Sequence, residues 1–157
     1  MWVLHKHPFS FVTPGKVATH TTENVLRKYG GWTDADTDDM KDLSLIGLIR
    51  HPISRWLSGA AMAFDCPHKP DDIDVDVLVA NPVLHDDLRL QIDRFEGHPV
   101  KLFKFETMHK LWSFLGIQDH GVHLNKRRGP TLDLTRDHTE SLLSFYSDDL
   151  ALWKGAF

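Results

Sequence analysis

Two short segments carry residue types and spacings that suit an anion. The first is Thr13-Pro14-Gly15-Lys16-Val17-Ala18-Thr19-His20-Thr21-Thr22, which joins a β-prone run to a helical one. The opening turn of a helix has backbone N–H groups with no partner inside the helix, so a phosphate is favoured there. Lys16 adds a mobile positive charge, and Thr19, Thr21 and Thr22 add hydroxyl donors. The nucleoside-triphosphate loop Gly-x-x-x-x-Gly-Lys-Ser/Thr is not matched. Ser10 stands where its first glycine belongs, and Val17 stands where a hydroxyl should hold Mg²⁺. The second segment is Arg50-His51-Pro52-Ile53-Ser54-Arg55-Trp56-Leu57-Ser58. A strand that ends at Arg50 delivers it to the sheet edge where ligands bind in open α/β folds. Arginine grips a phosphate bidentately, and serine adds a neutral donor. Arg50, Ser54, Arg55 and Ser58 are therefore the candidates in this segment, against the plainer expectation of a capped helix with solvent-facing arginines.

Other polar clusters are less directive. Eleven of the 157 residues are histidine, and His5-x-His7 and His120-x-x-His123 have spacings that invite a metal. Neither comes with the cysteines or carboxylates of a known metal geometry, so no metal is expected. Five aspartates fall in each of the runs 34–42 and 65–76, and such runs are ordinarily solvated loops. The stretch 101–128 holds six Lys/Arg against Glu106 and Asp119, a better place for an anion.

The elements that must position these residues follow from pattern. Phe9–Thr13 is a short strand, stopped by Pro14-Gly15. Thr19–Lys28 is a helix, ended by Gly30-Gly31. An acidic loop covers 32–42. Leu43–Ile49 is almost continuously apolar, as a strand buried on both faces must be. A helix runs from Ser54 to Ala63, and the proline-rich stretch 64–82 is mostly loop. Leu84, Leu88, Ile92 and Phe95 recur at helical spacing and predict a helix over 83–95. Val100–Phe105 is a strand, and residues 108–115 form a helix ended by Gly116. Asn125–Pro130 is a basic loop, and a last helix begins near Thr135. Alternation of this kind predicts one α/β domain over 1–157, with a small parallel sheet.

Taken together, the two anion segments resemble the sulfotransferase family that uses 3′-phosphoadenosine-5′-phosphosulfate (PAPS). Gly15-Lys16-Val17-Ala18-Thr19-His20-Thr21 is similar to the loop that wraps the 5′-phosphosulfate in that family. Arg50-x-Pro52-x-x-Arg55-x-x-Ser58 is similar to the segment that holds the 3′-phosphate. Phe103-Lys104-Phe105-Glu106, Phe114-Leu115-Gly116-Ile117 and Tyr146-x-x-Asp149 also resemble family segments. Asn125–Gly129 resembles its late basic loop. The resemblance implies a P-loop-like three-layer fold. It implies Lys16 as the charge stabiliser, and Arg50, Ser58, Arg127, Arg128 and Gly129 around the 3′ side of the nucleotide. Gly15 stands in place of the usual proline, and His20 in place of a hydroxyl. The interval from Lys16 to Arg50 is short for the family. Relatives often supply a Glu or His base after the first helix. Trp32–Asp42 has neither, which leaves an aspartate of the 34–39 run, Asp36 or Asp38 above all. His20 beside a phosphate suits an anion contact better than a base.

Composition sets the outer bounds. No apolar run approaches the roughly 20 residues needed to cross a bilayer. The net charge of −4 gives no pull toward nucleic acid. The single cysteine, Cys66, fits a reducing, cytoplasmic setting. The expectation is a transferase that moves a sulfuryl group from PAPS to a hydroxyl, or an amine, of a small-molecule, glycan or lipid acceptor. It would release adenosine 3′,5′-bisphosphate and need no metal. A nucleotide-binding interaction module of the same fold, without catalysis, is the second reading.

Overall fold

The computed structural model describes residues 2–14, 19–34, 44–63, 74–84, 88–95, 99–118 and 132–157. Its strands are β1 (Trp2–Lys6), β2 (Phe9–Thr13), β3 (Thr33–Asp34), β4 (Ser44–Ile49) and β5 (Val100–Lys104). The helices are α1 (Thr19–Gly30), α2 (Pro52–Ala63), α3 (Val75–Ala80), α4 (Met108–Leu115), α5 (Arg136–Phe145) and α6 (Ser147–Gly155). The strands form one sheet in the order β3-β1-β2-β4-β5. β2, β4 and β5 are parallel neighbours, with Phe9 opposite Ser44 and Leu45 opposite Val100. β1 runs antiparallel to both β2 and β3, so four of the five strands point the same way.

Helices cover both faces of this α/β sheet, as its apolar central strand requires. On one face Ile46 and Leu48 of β4 pack with Leu4, Phe11 and Phe103 against Val25 and Leu26 of α1 and Leu111 and Trp112 of α4. On the other, Leu45 and Ile49 pack with Val12 and Phe95, and Leu152 and Trp153 of α6 lie over them. A separate cluster joins α2 to α5 through Trp56, Ala60, Leu88, Leu142 and Tyr146. Gly59 of α2 makes that junction possible, because any side chain there would collide with Leu88.

The central strand, α1, α2, α4 and α5 follow the sequence pattern, and Thr135 caps α5 by accepting from the His138 N–H. Four features depart from it. β1 and the two-residue β3 add an antiparallel margin that the pattern did not predict. α3 lies inside the expected loop 64–82, started by Asp74, whose carboxylate accepts from the N–H groups of Asp76 and Val77. Of the helix expected over 83–95, residues 85–87 lie outside the described ones, and the described residues 88–95 form no α-helix, with a 3₁₀ turn at Ile92–Arg94. Side chains take the backbone groups that this helix would have used. Leu88 C=O accepts from the Tyr146 hydroxyl at 2.7 Å, Arg89 C=O accepts from Arg55 at 2.7 Å, and Ile92 N–H donates to Asp149 at 3.0 Å. Leu88 and Phe95 are both buried, but they serve different clusters.

Tyr146 is a lock in this region. The single hydroxyl proton, held by Leu88 C=O, is shared at most weakly with Pro82 C=O at 3.3 Å, and the Pro82 carbonyl takes the Trp56 indole N–H at 3.0 Å. Burial is the main reason its ionisation is pushed up to about 12; nearby Asp149 adds to this, and Arg55 opposes it. Below about pH 10 the phenol keeps its proton in the folded and unfolded chains alike, and its contribution is whole. Above that, the unfolded chain ionises first, so stability falls as pH rises toward 12. The loss attributable to Tyr146 is roughly 3 kcal/mol across that window. Denaturant unfolding of the native protein and of Tyr146→Phe over this range should show the steeper decline only in the native chain. Parallel curves would show that the buried phenol is not the source.

Candidate functional site

The parallel register of β2 and β4 builds the site. Val12 lies opposite Gly47, so both strands leave the sheet at the same edge. Just past that edge, β2 gives Pro14 and β4 gives Arg50, and each chain then enters a helix, α1 at Thr19 and α2 at Pro52. Two helix N-termini, with their positive dipole ends, thus serve one edge. β5 ends beside them at Lys104, paired with Ile49.

Arg50 is the central cation. Its guanidinium lies over the Phe105 ring, 4.7 Å from the centroid, and is half-buried. Burial pulls its pKa below the ordinary arginine value, with Glu106 acting the other way. A cation that has lost part of its water gains more from an anion than an exposed one does. Its backbone is pinned as well. The Arg50 N–H donates to Gln91 Oε1 at 3.0 Å, and Gln91 Nε2 donates to the Arg50 C=O at 2.9 Å.

Glu106 ties the rest of the edge together. One oxygen accepts from the His51 N–H at 2.9 Å, the other from the Trp153 indole N–H at 3.0 Å. The His51 ring meets Trp153 edge-on at 4.8 Å, and burial holds its pKa below the ordinary histidine value, against the pull of Glu106. Lys104 sits 4.8 Å over the Trp153 ring. Among the described residues the edge therefore offers Arg50 and Lys104, each seated on an aromatic face.

Several sequence candidates are placed by these elements. Thr19, His20 and Thr21 form the first turn of α1; His20 is exposed, whereas Thr21 is buried. Ser54 and Ser58 lie one turn apart on α2, both half-buried. Gly15, Lys16, Val17, Ala18, Asp36, Asp38, Arg127, Arg128 and Gly129 lie outside the described residues. Arg55 differs from expectation. It points inward at 2% exposure, donates to Arg89 C=O and sits 3.7 Å from Asp149, so it braces the fold and does not face a ligand. Asp34, the first aspartate of the acidic run, is on the outer strand β3 and paired with Arg27 of α1. That hydrogen bond holds its carboxyl below the ordinary range, so it is a poor proton acceptor.

Gln91 and Asp149 were not singled out as site residues. Asp149 carried a signal: with Leu142, Tyr146 and Trp153 it forms a helical stripe, and a carboxylate in an otherwise apolar stripe demands a cation. Among the described residues, no group of three or more His, Cys, Asp or Glu is arranged to hold a metal ion. Among them, too, no helix is long and apolar enough to cross a membrane.

No protein-family model matches the chain, and no curated protein does. Among solved structures, the chain is similar to a crystal structure of a sulfotransferase from Alicyclobacillus acidocaldarius, with a TM-score of 0.42 and 16% identity. The likeness covers 74% of this chain and 55% of that one, so the chain spans little more than half the length of the protein it matches.

Proposed function

We propose that the chain is a PAPS-dependent sulfotransferase, acting on a hydroxyl or amine of a small-molecule, glycan or lipid acceptor. One observation supports the reading: the adjacent parallel strands β2 and β4 end at one sheet edge, β2 leading to Pro14 and β4 to Arg50, and each chain next enters a helix. Two anion sites side by side suit a nucleotide with phosphates at both ends of its ribose. The residues present fit such a ligand, because the edge is cationic, aromatic and supplied with backbone N–H donors.

When bound, PAPS supplies an activated sulfuryl group and a 5′-phosphate leaving group. The roles of the chain follow from position. The α1 N-terminus, Thr19 and His20 would hold the 5′ end, and Lys16 would meet negative charge as it grows there. Arg50 and Ser58 would fix the 3′-phosphate and so orient the donor, a contribution of position rather than chemistry. Arg127, Arg128 and Gly129 are assigned to the same 3′ side. Asp36 or Asp38 is assigned to take the acceptor's proton, which Asp34 is unsuited to do. In-line transfer on these residues needs no metal.

Arg50 serves only a nucleotide that carries a 3′-phosphate. Adenosine 3′,5′-bisphosphate should therefore bind more tightly than AMP by roughly 1.5–3 kcal/mol, or about 10- to 150-fold. Titration calorimetry with both nucleotides checks this. Equal affinities would remove the basis for the assignment.

A further inference from the structure

We propose that Gln91 is a positioning residue for the 3′-phosphate site, setting the Arg50 backbone so that its guanidinium meets the phosphate. The proposal rests on the reading of Arg50 as the 3′-phosphate anchor. It adds a residue that never touches the ligand.

The argument begins where the sheet stops. The β4–β5 ladder closes at Ile49 and Lys104, and α2 begins at Pro52. Arg50 lies between them, past the last pair of the ladder and ahead of the first helical residue. The Gln91 side-chain amide holds its backbone from 41 residues away, accepting from the Arg50 N–H at 3.0 Å and donating to its C=O at 2.9 Å. This is the pairing that a neighbouring strand would have offered, supplied by one side chain. It fixes the Arg50 backbone from one side while the Phe105 ring fixes the guanidinium from the other, at 4.7 Å.

Gln91 is itself held. It is fully buried, and its Nε2 also faces Asp149 Oδ2 at 3.4 Å. The next residue, Ile92, donates its N–H to Asp149 Oδ1 at 3.0 Å. Asp149 is fully buried beside Arg55, and Arg55 donates to Arg89 C=O. The chain of contacts runs from α2 through Asp149 of α6 to the 88–95 segment, and back to the end of β4. The amide orientation follows from its partners, since only the oxygen can face an N–H and only the NH₂ can face a carbonyl and a carboxylate. Glutamine is the residue this place requires. Glutamate would lose the donor and face Asp149 with like charge; asparagine is one methylene short.

The test uses Gln91→Met, which keeps the volume without the hydrogen bonds, and Gln91→Glu, which keeps the shape without the donor. Each is measured by calorimetry with adenosine 3′,5′-bisphosphate and with AMP, alongside a thermal melt. The expected result is a loss of roughly tenfold or more in affinity for the bisphosphate, with AMP affinity changed less than about threefold. A purely structural residue would move both nucleotides together. A variant that melts cooperatively and keeps the native ratio of affinities overturns the proposal. Collapse of the cooperative fold in both variants also overturns it, because Gln91 would then be a stability residue. If the native protein shows no preference between the nucleotides, the fault lies with the 3′-phosphate reading itself, which is a different outcome from a native preference that Gln91 variants retain.

Discussion

Replacing Asp149 with alanine should destabilise the fold by roughly 3–5 kcal/mol, the range for removing one member of a buried ion pair. For a chain of this length that is a fall in melting temperature of about 6–20 °C. Asp149 is fully buried, and its neighbour Arg55 is 2% exposed. The alanine variant would leave that buried guanidinium without its carboxylate and the Ile92 N–H without its acceptor, and would leave Gln91 Nε2 with the Arg50 C=O but not its second contact. The ion pair is not the whole of the effect. At 3.7 Å the Arg55–Asp149 contact is longer than a hydrogen bond, whereas Ile92 N–H is held at 3.0 Å. Burial also keeps the Asp149 carboxyl above the ordinary range, against the hydrogen bonds from Gln91 and Ile92 and the pull of Arg55. Charge alone is therefore costly here, and acceptance of hydrogen bonds is the larger benefit. Asp149→Asn retains an acceptor oxygen and should lose less than half as much as Asp149→Ala. Thermal unfolding followed by circular dichroism measures both. A shift of under about 2 °C for the alanine variant would mean that the network is not holding the 88–95 segment.

What the sequence revealed and concealed divides along a physical line. β4 was visible because Leu45–Ile49 is apolar without interruption, and burial on both faces leaves no other choice. The two strand-to-helix connections were visible because proline, glycine and threonine mark them. The fate of Arg55 was not visible. An arginine on an exposed helix turn defaults to solvent, and only tertiary partners remote in sequence, Asp149 and the Arg89 carbonyl, turn it inward. The same partners explain why the described residues 88–95 are not α-helical. Periodicity reports which side chains are buried; it is silent on which backbone groups other side chains will take. β3 was lost for a related reason. Two residues hold too little pattern to identify, and their edge is secured by Arg27 pairing with Asp34 from a different element. The place of Arg50 at the end of the central strand could thus be read from sequence, whereas its backbone pairing with Gln91 could not.

Lys16→Ala should lower turnover by about 10²–10³-fold at saturating donor, while affinity for adenosine 3′,5′-bisphosphate falls less than about tenfold. Lys16 follows Pro14 by two residues and precedes Thr19 by three, and both of these lie at the edge shared with Arg50. An ammonium in that segment meets little extra charge in the ground state. In the proposed transfer it would meet much more as the bond from sulfur to the bridging oxygen breaks and charge collects on the 5′-phosphate. An interaction stronger in the transition state than before it acts on rate and leaves binding nearly alone. Arg50→Ala should behave in the opposite sense, losing affinity for the bisphosphate more than saturated turnover, because its partner phosphate carries the same charge throughout. The pair of variants separates chemistry from anchoring within one set of measurements. Asp36→Ala and Asp38→Ala complete the comparison: the one that acts as base should lose turnover and keep normal nucleotide affinity. If Lys16→Ala instead lost affinity alone, with turnover at saturation intact, Lys16 would be a plain phosphate anchor. The developing charge would then have to be met by the backbone N–H groups and hydroxyls at the start of α1.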